Sequence, residues 1–167
     1  MRRMIWAAAL ALAACAAPEP GPAPGLRTAG AWISSASLFD PARFAGQWKV
    51  AESGTPGCAG ATQDWRYDGR GAYALSGVDC SGAKPRHLSG RAVVTGPGGR
   101  ITPDAGFGRE PVWVLWVDQD YRVAVLGTPS GRFGMVLARD LPVRSDLAAA
   151  AREVLSFNGY IPGKVGR

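Results

Sequence analysis

Alternation of apolar and polar positions dominates the middle of the chain. From residue 46 to 52, Trp48, Val50 and Glu52 share one face while Lys49 and Ala51 take the other, the two-residue period of an extended strand. Residues 61–67 and 72–79 alternate in the same way around Asp68-Gly69-Arg70, a turn trio with the glycine that a tight hairpin needs. Folding the chain at Gly69 sets Trp65 against Tyr73 and Gln63 against Leu75 on an apolar, aromatic face; Thr62, Asp64, Arg66, Ala74 and Ser76 fall on a polar one. In residues 86–94, Leu88, Gly90, Ala92 and Val94 oppose His87, Ser89, Arg91 and Val93. The turn Gly96-Pro97-Gly98-Gly99 leads to a short fifth strand at 100–103, followed by a glycine-rich loop at 104–109. Residues 111–118 are apolar on both faces, Asp118-Gln119-Asp120 turns the chain into a strand at 121–127, and a last strand occupies 133–139. Eight short, evenly spaced strands joined as hairpins predict an all-β, eight-stranded up-and-down antiparallel barrel, because closure removes the unpaired edges of an open sheet. An interior of that size holds side chains or one small ligand.

The period changes at both ends. After Leu141-Pro142, Leu147, Ala151, Val154 and Leu155 recur at helical spacing with Arg152 and Glu153 facing away. Ser145 or Asp146 is placed to cap this helix and Asn158-Gly159 to stop it, so one C-terminal α-helix is expected to pack outside the barrel. At the other end, Met1-Arg2-Arg3 precedes an apolar run at 4–14, the layout of a secretory signal and too short for a mature membrane span. Leu12-Ala13-Ala14-Cys15 resembles the bacterial lipobox, whose cysteine receives a diacylglyceryl group and becomes the mature N-terminus. With Ala16 and not aspartate next, that resemblance implies passage to the outer membrane, where several acyl chains at about 0.8 kcal/mol per buried CH₂ give a durable anchor. Residues 16–37 are rich in Pro, Ala and Gly, with Pro18, Pro20, Pro22 and Pro24 alternating, and read as an extended tether. The expected organisation is a leader at 1–14, lipidated Cys15 and tether at 15–37, barrel plus helix at 38–162, and a tail at 163–167.

Composition narrows the chemistry. A chain of 167 residues, 47% of them hydrophobic, supports one domain with a sizeable core. Setting Cys15 aside leaves Cys58 and Cys80, an even pair in an exported and oxidising compartment, and a disulfide is expected; the fold at Gly69 brings the two opposite each other. The formal charge of +6 falls to about +4 when Arg2 and Arg3 leave with the signal, and the basic residues are scattered singly, which argues against nucleic acid and for a surface facing an anionic membrane. Enzyme signatures are wanting: Gly127-Thr128-Pro129-Ser130-Gly131 is not a nucleophile elbow, Gly96-Pro97-Gly98 does not continue as a dinucleotide fingerprint, and His87 is the lone histidine. No catalytic residue, cofactor or metal site is assigned.

These residues resemble the bacterial lipocalin family of the outer-membrane lipoprotein type. Residues 39–48, running through Gly46-Gln47-Trp48, resemble the family's opening of a short helical turn into Gly-x-Trp; Asp118-Gln119-Asp120-Tyr121 resembles its second block and Leu137-Ala138-Arg139 its third. The resemblance spans roughly 38–162 and departs from the family at Lys49, where an aromatic is common, and in the shortened stretch 100–109. It implies that Gly46, Trp48, Tyr121 and Arg139 close the barrel, the guanidinium lying across the indole as a cation–π contact. It further implies a small hydrophobic or amphiphilic ligand, of the fatty-acid or lysophospholipid class, held for storage or transport. The inward candidates to meet it are Val50, Glu52, Trp65, Tyr67, Tyr73, Leu75, Leu88 and Ala92, with Val114 and Trp116 standing for a strand whose inward face the pattern leaves open between Trp113 and Trp116. Arg66 or Arg91 near the mouth would meet an acidic head group. The alternative is an envelope lipoprotein whose barrel is packed solid, since Trp65, Tyr67 and Tyr73 are bulky enough to fill it.

Overall fold

The structure is a computed structural model and describes residues 25–166. The expected signal peptide, Cys15 and the first part of the tether lie outside the described residues. A short helix α1 (Pro41–Phe44) leads into β1 (Gly46–Ser53), β2 (Thr62–Tyr67), β3 (Ala72–Asp79), β4 (Arg86–Val94), β5 (Arg100–Pro103), β6 (Val112–Val117), β7 (Val123–Gly127) and β8 (Gly134–Ala138), and α2 (Ser145–Phe157) follows. The strands pair antiparallel in sequence order, and β8 returns to β1, so the sheet is a closed barrel with a C-terminal helix. The expected fold class is the observed one.

The β2–β3 register differs from the expectation by two positions. Trp65 pairs with Leu75, Tyr67 with Tyr73 and Gln63 with Gly77. The turn takes in Gly71 as well: Asp68 N donates to the Ala72 carbonyl at 2.9 Å, while Asp68 Oδ1 accepts from Arg70 N and Ala72 N. An offset of two leaves every side chain on its expected face. Cys58 sits in the loop ahead of β2, and that loop still brings it to Cys80, with a Cα–Cα separation of 6.0 Å.

Two hydrophobic layers share the sheet. The inner one fills the barrel. The outer one joins Leu115, Val123, Val125, Val136 and Ala138 to Ala151, Leu155, Tyr160 and Val165. β7 and β8 are therefore buried on both faces, which explains their nearly unbroken apolar runs. Tyr160 lies against Gly127 and Gly134, where a Cβ would come within 2.2 Å of its hydroxyl and 2.4 Å of its ring, respectively. Its hydroxyl donates to the Phe133 carbonyl and accepts from Thr128 N, and burial pushes its pKa up to about 12.

Three details of the sequence reading change. Residues 25–37, read as tether, run as a strap along the barrel: Leu26 N donates to the Gly131 carbonyl, and Ala36 bridges β5 and β6 by donating to the Val114 carbonyl and accepting from Gly99 N. The tail folds back too, Gly166 N donating to the Ser53 carbonyl. The helix begins after Arg144 with no side-chain cap; Asp146 pairs with Arg144 at 2.5 Å instead of capping.

Candidate functional site

The closed end is built around one guanidinium. Arg139 lies over the Trp48 ring at 3.7 Å. It donates to the carbonyls of Tyr121, Gln47, Arg43, Phe44 and Ala45, at 2.9 to 3.2 Å. That uses the whole donor fork of an arginine, which a lysine lacks. Trp48 Nε1 donates to the Phe44 carbonyl at 2.8 Å, Tyr73 Oη to Pro41, and Asp40 N to Tyr121 Oη, so α1 is buckled across the end of the barrel. Tyr121 reaches its place through a positive φ of 57°, which Asp118 holds: its Oδ1 accepts from Arg122 N and Val123 N, both at 2.6 Å. Burial of Asp118 opposes its charge, but these amides and the Arg122 guanidinium outweigh it and keep the carboxyl below its ordinary range.

Aromatic rings fill the barrel above this plug. Phe44 enters from α1 and meets Trp48, Trp65 and Tyr73, with centroids 5.1 to 6.1 Å away. Trp65 meets Phe107 at 5.6 Å, and Phe107 meets Phe133 at 5.7 Å. Gln63, fully buried, accepts from Trp65 Nε1 and donates to the Val78 carbonyl. Burial drives the Tyr73 hydroxyl upward in pKa, so it stays a neutral donor.

Phe107 is the uppermost of these rings, and the backbone beneath it is strained. Phe107 and Arg109 have φ of 47° and 58°, in the left-handed region that costs a side-chain-bearing residue roughly 1 kcal/mol or more each. Asp79 fixes the loop by accepting from Phe107 N at 3.1 Å. Over Phe107 and Phe133 opens a cavity of about 560 Å³, walled by all four loops of the open end and by Gly25 and Leu26 of the strap. Its floor is Phe107, Phe133 and the Cys80 end of the disulfide; its rim carries Arg86, Arg109 and Arg132 with Glu110. Arg132 pairs with Glu110 at 3.1 Å, which leaves Arg86 and Arg109 as exposed rim cations outside that ion pair.

No family model and no curated protein matches this chain. Among solved structures it is similar to the siderocalin Ex-FABP, which functions through dual ligand specificities. The two are 16% identical, with a TM-score of 0.56, over 74% of this chain and 92% of that one. The fold is lipocalin-like.

Within this lipocalin-like barrel, Val50, Trp65, Tyr73, Leu75, Leu88, Ala92 and Val114 point inward and form the buried core, and Tyr67 packs against it beside the closed end. Glu52 and Trp116 do not. A β-bulge after Val50 sends both Ala51 and Glu52 outward, and Glu52 binds Arg152 of α2, the residue expected to face away. A second bulge after Val114 puts Trp113, Leu115 and Trp116 together in the outer layer, so neither tryptophan of β6 is inside. Arg66 and Arg91 lie away from the mouth, paired at the surface with Asp64 and Asp68. None of the ten candidates lines the open-end cavity. Phe133 was legible, because it shares the parity of Met135 and Leu137; Phe107, an aromatic between two glycines of a loop, carried no periodic signal.

Proposed function

We propose that this chain is a lipid-anchored binding protein of the outer membrane, acylated at Cys15, which holds a small amphiphile of the fatty-acid or lysophospholipid class in the mouth of its lipocalin-like barrel. The observation that carries the reading is the cavity of about 560 Å³ over Phe107 and Phe133, apolar in its floor and cationic at its rim. Its volume is in the range of small-molecule sites, and the pairing of greasy floor with guanidinium rim suits a chain with an acidic head. The signal, lipobox-like Leu12-Ala13-Ala14-Cys15 and proline-rich stretch support export and anchoring. A solid-barrel interaction lipoprotein is the second reading, favoured by the rings that fill the interior below Phe107.

Titration with a panel of fatty acids and lysophospholipids, followed by tryptophan emission and calorimetry, tests the proposal. Uptake is expected, with Trp65 reporting through its contact with Phe107. Phe107→Ala joins the cavity to the space beside Trp65 and is expected to tighten long-chain ligands roughly tenfold, the worth of about two more buried methylenes. No uptake by either protein across the panel leaves the solid barrel as the reading.

A further inference from the structure

Among the described residues, two large aromatic side chains stay in water, on segments that meet at one corner. Trp32 is 93% and Phe157 82% exposed. Arg27 ties their segments into one corner: its Nε donates to the Asn158 carbonyl at 2.7 Å and its Nη2 to the Trp32 carbonyl at 3.0 Å, while Ser34 N donates to Asn158 Oδ1 at 2.8 Å. The corner lies at the open end, because Arg27 Nη1 also donates to the Pro129 carbonyl in the β7–β8 turn. The strap reaches the mouth here as well, since Gly25 lines the cavity.

Charge is uneven along the barrel axis. Lys84, Arg86, Arg109 and Arg132 are exposed at the open end, against exposed Asp104 and the Glu110 that pairs with Arg132. At the closed end exposed Asp68, Asp120, Asp140 and Asp146 are matched by exposed Arg43, Arg70, Arg122 and Arg144. Leu38, exposed at the closed end, lies on this balanced side.

We infer that the open end is the face the domain lays on a lipid bilayer, with Trp32 and Phe157 seated at headgroup depth and the basic loops against anionic headgroups. Indole rings favour that depth, and an anionic leaflet attracts the basic end more than the balanced one. The orientation draws on the anchoring reading: nine residues, 16–24, separate Cys15 from Gly25 and the ten steps between them reach about 30 Å when extended, so an acylated chain keeps this corner within contact of its membrane. A mouth turned to the bilayer lets an amphiphile pass between membrane and barrel without crossing water.

The test uses the full-length protein on vesicles of phosphatidylethanolamine and phosphatidylglycerol with brominated acyl chains, reading tryptophan emission. Bromine quenching is expected in the wild type, and Trp32→Phe, a change at an exposed site, is expected to remove most of it. Quenching that is absent, or the same in Trp32→Phe, overturns the docking face. Mass spectrometry of the same samples reads the anchor separately. Acylated protein with Trp32 unquenched refutes the face and keeps the anchor; unacylated protein with Trp32 quenched keeps the face and refutes the anchor.

Discussion

Trp48→Ala is expected to lower stability by about 3–5 kcal/mol, seen as a fall in Tm of roughly 10–20 °C. The indole is fully buried, it is the seat of the Arg139 guanidinium, and its Nε1 fixes α1 through the Phe44 carbonyl. Its removal leaves a cavity under Phe44 and Trp65 and unseats the group that joins β8 to β1. Arg139→Lys keeps the charge but loses the fork that reaches five carbonyls, and is expected to cost about 2 kcal/mol. The two sites share one contact, so the double variant is expected to lose less than the sum of the single losses. Thermal unfolding of the four proteins checks this; additive losses would mean that the ring and the guanidinium do not act as a unit.

Cys58→Ala with Cys80→Ala is the second large effect. The bridge closes a separation of 22 residues, which corresponds to about 3 kcal/mol in the chain-entropy account. Its position makes the loss local as well as global. The Cys80 carbonyl accepts from Ser53 Oγ and Thr55 Oγ1, so the bridge and these hydroxyls together hold the β1–β2 loop against the β3–β4 loop at the mouth. The double variant is expected to unfold about 10 °C lower and to bind amphiphiles more weakly, because two walls of the cavity are freed. A protein with lower Tm and unchanged binding would place the ligand away from the mouth.

Much of the barrel was readable because alternation, turn glycines and hairpin spacing all point to the same strands. The closing pair was readable through the family resemblance, whose Gly-x-Trp opening and last block single out Trp48 and Arg139, and the cation–π contact gives the two a physical reason to meet. Faces failed where the period of two failed. The bulges after Val50 and Val114 each insert one residue, and a one-residue insertion flips every side chain beyond it, which moved Glu52 and Trp116 outward. The strap departs from the tether reading because the prolines at 18–24 coloured the whole segment 16–37, whereas 25–37 holds none, docks through backbone groups at Leu26 and Ala36, and packs Leu26 and Ile33 against the outer layer. Phe107 escaped notice because a left-handed residue in a loop has no periodicity, although it sets the depth of the mouth.

Native mass spectrometry of the protein taken from its own membrane tests the account most directly. The account predicts a chain beginning at an acylated Cys15, with an additional mass of an acidic amphiphile that is released by mild activation and lost in the Cys58→Ala, Cys80→Ala variant. A chain that carries no such mass, and gains none when offered fatty acid or lysophospholipid, would contradict it.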